Sequence, residues 1–338
     1  MDGALTGQWT AVARLLTVIE NGGDGARAVT ARLHPHPGAA AILGVTGAPG
    51  SGKSTLTERL IARVLSQGQR VAVLAVDPSS ARSGGAILGD RIRMQAHAAD
   101  PGVFIGSMAS RGHRGGLALA VPGAVRIVDA AGVAWVIVET VGVGQDETDM
   151  AGLADTTVVV VTPGWGDAVQ FAKAGLVEIA DLFVVNKADR DGAAATVRDL
   201  ESLARLAPNS GWRPPVIPTV AARDAGIGEL WDAIGGHRAY LETSGLLEQR
   251  RARRLREELR RIVAERIAEQ ADELCRATRF EEMASAVVAG HIDPFGAAAS
   301  LLGGPEGALS RPRPVPDEAQ QRQRSQLQQN GGDHHGTC

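Results

Sequence analysis

Eight consecutive residues, Gly47-Ala48-Pro49-Gly50-Ser51-Gly52-Lys53-Ser54, match G-x-x-x-x-G-K-[ST] in full. The chemistry of this pattern is capture of nucleotide phosphates. Glycines let backbone N–H groups fold inward on the oxygens, Lys53 supplies a formal positive charge, and the Ser54 hydroxyl holds a magnesium ion. Thr55 carries the loop into a predicted helix whose N-terminal dipole favours the same anion.

Many unrelated enzymes share this loop, so the base must be read elsewhere. Asn186-Lys187-Ala188-Asp189 follows the apolar run 182–185. Asn-Lys-x-Asp at a strand end suits guanine, because the Asp189 carboxylate accepts from both ring-edge N–H donors, whereas adenine offers the opposite arrangement. Lys187 packs along the base in this reading. In the turn Thr219-Val220-Ala221, the Ala221 N–H is placed on the guanine carbonyl.

Three acids complete the set. Glu139 ends the apolar run 135–138, where a carboxylate is costly to bury without a cation or hydrogen bonds. Gly142, three residues on, is positioned to present its N–H to a γ-phosphate. Asp77 follows the apolar run 71–76 and could order an attacking or metal-bound water, and Asp90 in Gly89-Asp90-Arg91 reaches the same ion. Their structural alternatives are a turn former before Pro78 for Asp77 and a helix N-cap for Asp90. The implied reaction is attack of water on the γ-phosphate.

Such residues need a rigid frame, and short apolar runs alternating with longer amphipathic ones supply it. Strands are predicted at 41–46, 70–76, 103–106, 134–139, 157–162, 181–186 and 216–220, with helices at 53–67, 117–131, 168–178, 193–206 and 228–234. This is the sequence form of a mostly parallel, doubly wound α/β sheet. The alternation closes near Gly236. Two short helices, 9–20 and 25–33, precede the sheet, and Pro35 and Pro37 end them. Residues 246–290 read as helical, with Leu255, Leu259, Ile262, Ile267 and Leu274 in an apolar stripe. The partition is an N-terminal helical extension (1–38), a nucleotide-binding domain (39–240), a C-terminal helical arm (241–304) and a Pro, Gln and Arg-rich disordered tail (305–338).

Composition narrows the partners. The 338 residues carry a net charge of only -3, so no long-range field points to nucleic acid or to a membrane surface. Two distant cysteines, Cys275 and Cys338, fit a reducing compartment, and the absence of a signal-like start or a long apolar run points to a cytoplasmic protein. Arg250 to Arg261 is arginine-rich, but Glu257 and Glu258 interleave, so this stretch reads as a solvated helix face. His34, His36, His334, His335 and Cys338 lack metal-site spacing.

With these residues in place, the sequence resembles the MeaB/ArgK family of P-loop GTPases, chaperones of adenosylcobalamin-dependent acyl-CoA mutases such as methylmalonyl-CoA mutase. The resemblance extends to about Leu302. Its specific segments are Asp77-Pro78-Ser79-Ser80, Gly84 through Asp90, Ser110-Arg111-Gly112-His113, Glu139 through Gln145, and Asp293-Pro294-Phe295. It implies GTP and GDP as ligands, a magnesium environment of Ser54, Asp77, Asp90 and Glu139, and a homodimer built by the C-terminal arm. It also implies a switch at 163–167 and the next helix, which faces the mutase and makes Lys173 a candidate activating cation. Direct binding of cobalamin is not expected. Two departures are Trp165, where the family often has a small residue, and Thr-Val-Ala in place of Ser-Ala. The competing readings are a nickel- or cobalt-insertion GTPase, which needs a surface Cys/His site, a P-loop kinase, which transfers phosphate to an acceptor, and a binding module whose nucleotide is structural.

Overall fold

The computed structural model describes residues 1–36, 38–77, 97, 99–109, 120–140, 152–164, 176–206 and 211–303. All seven expected strands form: β1 (Ala41–Thr46), β2 (Val71–Asp77), β3 (Val103–Ala109), β4 (Trp135–Thr140), β5 (Thr156–Val161), β6 (Leu182–Asn186) and β7 (Val216–Thr219). They pair in parallel in the order β3-β2-β4-β1-β5-β6-β7. Burial on both faces explains why β4 and β5 are apolar nearly throughout rather than alternating.

Side chains divide between the faces with the two-residue period of the pleat. Leu43, Val45, Val73, Ile137 and Val160 pack with Leu56, Leu60 and Val64 of the helix Lys53–Ser66 and with Ile227, Leu230 and Ile234 of the helix Ile227–Thr243. Ile42, Leu74, Val136 and Val138 turn the other way. They meet the helix Ala120–Ala130 and Val12, Leu16 and Ile19 of the N-terminal helix Trp9–Asn21. A smaller cluster joins Val159, Phe183 and Val185 to Leu200 of the helix Ala193–Leu206. The same period places Glu139 on the Lys53–Ser66 side.

The helix expected at 228–234 runs instead to Thr243, straight through Gly235 and Gly236. Burial of Ile234, His237 and Leu241 along one face outweighs a glycine penalty of about 1 kcal/mol per residue. Of the helix expected at 168–178, Leu176–Ile179 is described and the rest lies outside the described residues.

The solvated reading of the arginine-rich stretch is corrected by the N-terminal part of the helix Leu246–Arg276. Arg250 makes a two-pronged contact with Asp181, Nη1 to Oδ2 at 2.9 Å and Nη2 to Oδ1 at 2.8 Å. Arg251 and Arg254 both reach Asp155, at 3.0 and 3.2 Å, and Arg126 pairs with Glu258 at 2.7 Å. Asp155 also accepts from the Ile42 N–H, and Asp181 from the Thr157 N–H. Both aspartates stand just before apolar strands, so the arginines neutralise carboxylates at the amino edge of the sheet. Burial pushes the Arg254 guanidinium down and the Asp129 carboxyl up from their ordinary values.

His237 is fully buried beside this network. Its Nδ1 lies 2.9 Å from the Thr156 hydroxyl, its Nε2 3.3 Å from Asp181, and its ring 4.8 Å from that of Trp212. Burial pushes the imidazole down to about 4, with Arg250 adding to the shift and Asp181 opposing it. Its folded value therefore lies below the unfolded 6.5, and the unfolded chain binds more protons between them. The stability from neutral His237 is complete above pH 6.5 and is lost as pH falls toward 4, a total of about 3 kcal/mol. Urea unfolding of the wild type and of His237→Gln at pH 7 and pH 4.5 should show a smaller acid loss in the variant; equal losses would refute the assignment.

Residues 1–262 form one compact unit, and the described residues that follow, 263–303, belong to a second. Within the second unit, the helix Thr278–Val288 packs against Pro294–Leu301. Asp293 caps the latter through the Phe295 and Gly296 N–H groups, with Pro294 in the first turn. No helix among the described residues is long and apolar enough to cross a membrane.

Candidate nucleotide site

The predicted nucleotide segments gather at the carboxyl edge of the sheet, where parallel α/β folds open a crevice beside a change in strand order. Gly47 to Gly52 follow β1, Glu139 lies near the end of β4, Asn186 ends β6, and Ala221 follows β7. Gly47 has φ 138°, and a Cβ there would sit 2.0 Å from the Val160 carbonyl oxygen, so β5 itself excludes a side chain. Gly52 has φ 92°, with Asn186 Nδ2 2.3 Å from where its Cβ would be. Ala48, Pro49, Gly50 and Ser51 complete the loop, and Ser54 and Thr55 fall in the first turn of the helix it opens. The buried Lys53 ammonium donates to the Gly47 and Ala48 carbonyls, at 2.6 and 3.0 Å.

Glu139 is 1% exposed. The Ser54 hydroxyl donates to its Oε1 at 2.7 Å and the Thr57 hydroxyl to its Oε2 at 2.9 Å. Two hydroxyls one helical turn apart thus hold a carboxylate that lies out of water. Thr57 was missed in the sequence, although its place three residues after Ser54 puts it on the same helix face. A second buried bond, Thr140 to Thr46 at 3.0 Å, ties β4 to β1 just beyond.

At the base-reading end, Asn186 Nδ2 donates to the Ser51 carbonyl at 2.8 Å, while its Oδ1 accepts from the Thr219 hydroxyl at 3.2 Å and the Ala221 N–H at 3.1 Å. Asn186 therefore staples the phosphate loop to the β7 turn. Lys187, at φ 58°, lays its ammonium on the Gly50 carbonyl at 2.7 Å, crossing the loop. Asp189 lies 3.5 Å from Arg223. Asp77 ends β2, paired in register with Ala109. The Asp77 side chain, Asp90, Gly142 and Lys173 lie outside the described residues.

The strand order and the loop after β1 place the molecule among the P-loop nucleotide hydrolases, and the segment ending β6 narrows that class to the GTPases. The family model described as "Methylmalonyl Co-A mutase-associated GTPase MeaB" matches residues 12–275, and the chain belongs to that MeaB/ArgK family. A Pyrococcus abyssi protein named as a candidate GTPase is 49% identical, covering 88% of this chain and 93% of its own. The GTPase ArgK of Escherichia coli is 38% identical over 77% of this chain and 82% of its own. A crystal structure titled as an LAO/AO transport system kinase superposes with a TM-score of 0.67 at 29% identity, covering 89% of this chain and 95% of that one.

Proposed function

We propose that this GTPase is a chaperone of an adenosylcobalamin-dependent acyl-CoA mutase, methylmalonyl-CoA mutase before others, and that it gates loading of cofactor or removal of inactive cofactor. The mutase role is supported by family membership. For the hydrolytic chemistry, the observation that carries the reading is Glu139, a carboxylate buried against the hydroxyls of the phosphate-loop helix.

In this reading Gly47 to Thr55 cradle the phosphates, with Lys53 exchanging its carbonyl contacts for phosphate oxygens. Ser54 and Glu139 present hard oxygen donors, the ligand chemistry that magnesium prefers. Asp77 and Asp90 join them in the proposed set. When bound, magnesium neutralises charge on the transferring phosphoryl group. Asp77 orders the attacking water and Gly142 meets the γ-phosphate, with Lys173 as the activating cation. Asn186, Lys187 and Asp189 read guanine. Because the Ala221 N–H already donates to Asn186, the base carbonyl would share that donor.

Residues 39–240 act as the nucleotide unit, preceded by 1–38 and followed by the arm 241–304 and tail 305–338. A homodimer would cover the exposed Leu255, Leu259 and Ile267 of the arm. The test is GTP turnover by the full chain alone and with each candidate mutase, in apo and cofactor-loaded forms. Stimulation by one mutase, dependent on its cofactor state, is expected. Unchanged turnover with every mutase would remove the chaperone role and leave the GTPase, and phosphate on an acceptor would favour a kinase.

A further inference from the structure

The turn after β7 is a small closed structure. Ala221–Arg223 form a single 3-10 turn, Asp224 sits at φ 57°, and Val220 and Ala225 bridge back on each other. A non-glycine residue in the left-handed region is strained and persists only where its surroundings hold it. Here two arginines of the phosphate-loop helix do so from one face, a turn apart. Arg59 Nε donates to the Ala221 carbonyl at 3.0 Å, and Arg63 Nη2 pairs with Asp224 at 3.0 Å.

Ala221 is thereby gripped on both sides of its backbone. Its N–H goes to Asn186 and its carbonyl receives Arg59, while Asn186 itself is bonded to Ser51. The bonds close a circuit from the phosphate loop through Asn186 and the turn back to the loop's own helix. From the same turn Arg223 approaches Asp189, a further base-reading residue. A charged donor to a partly buried carbonyl is the strongest single link in this circuit.

We propose that Arg59 is a positioning residue for guanine recognition: by holding the Ala221 carbonyl it fixes the turn that orients Asn186 and Asp189 over the phosphate loop. This rests on the guanine reading of Asp189. Arg59 touches neither base nor phosphate in this role. Its loss leaves phosphate capture in place and loosens the base contacts, first the Ala221 N–H on the base carbonyl, which hypoxanthine shares with guanine, and then the ring-edge contact of Asp189.

The experiment compares wild type, Arg59→Ala, Arg59→Lys and Asp189→Asn as full chains. Affinities are measured for GDP, inosine diphosphate, which keeps the base carbonyl, xanthosine diphosphate, and pyrophosphate, which has no base, alongside kcat and KM for GTP. Arg59→Ala should weaken GDP and inosine diphosphate about tenfold and pyrophosphate less than about twofold, raise KM, and keep kcat within about twofold. Arg59→Lys, which keeps a cationic donor, should recover part of the affinity for GDP. Asp189→Asn should move preference toward xanthosine diphosphate. Equal weakening of GDP and pyrophosphate by Arg59→Ala, or no change in GDP, would overturn the Arg59 role with the Asp189 switch intact. An Asp189→Asn chain that still prefers GDP would instead overturn the guanine reading beneath it.

Discussion

Glu139→Gln should lower kcat for GTP about a hundredfold while leaving the fold and GDP binding nearly intact. Glutamine matches the shape of glutamate, and hydroxyls both donate and accept, so Ser54 and Thr57 can rotate to satisfy an amide where they now satisfy a carboxylate. What disappears is the negative charge. If Glu139 helps hold the magnesium that offsets charge on the phosphoryl group, its loss removes about 3 kcal/mol of transition-state stabilisation. Ground-state affinity for GDP without magnesium draws on Lys53 and the loop backbone, and so should persist. Single-turnover hydrolysis at rising magnesium, with thermal unfolding as a control, separates these effects. A variant whose kcat stays within about threefold of wild type at every magnesium concentration would make Glu139 a purely structural acid.

The position of Glu139 was legible because two local rules agree. A strand's two-residue period assigns each side chain to a face, and a phosphate-loop motif fixes which helix covers that face. The same logic made all seven strands visible, since parallel strands buried on both sides are continuous apolar runs. Arg250, Arg251 and Arg254 were not legible, because a helix with alternating charge reads as solvated unless the location of its partners is known. Those partners, Asp155 and Asp181, are about 70 to 100 residues away. A signal was present in the carboxylates themselves, each placed directly before an apolar strand, where it accepts from an N–H of the neighbouring strand and its burial calls for a counter-charge. The run of the last sheet-packing helix through Gly235 and Gly236 was hidden for a related reason: the burial that stabilises it is tertiary. Arg59 and Thr57 went unseen because their partners, Ala221 and Glu139, are joined to them only by the fold.

Asp155→Ala should be strongly destabilising although it lies away from the nucleotide site, costing about 3–5 kcal/mol. The carboxylate is nearly buried and is shared by the Ile42 N–H, Arg251 and Arg254. Alanine strands a backbone donor at the start of the central strand and leaves two guanidinium groups without their closest counter-charge. Burial already disfavours the charged form of Arg254, so losing Asp155 exposes a desolvation penalty that the pair now offsets. Asp155→Asn keeps an acceptor for Ile42 and should fall between alanine and wild type. The exposed pair Arg63–Asp224 is the contrast: on stability alone its removal should cost at most about 1 kcal/mol. Urea unfolding of the full chain measures all three. Because Asp155 precedes β5 while the phosphate loop follows β1 at the opposite edge of the sheet, GDP should stabilise the alanine variant by the same increment as wild type. A loss below about 1 kcal/mol would mean that Arg251 and Arg254 swing into water at little cost. A reduced increment from GDP would mean that the amino edge of the sheet helps set nucleotide affinity.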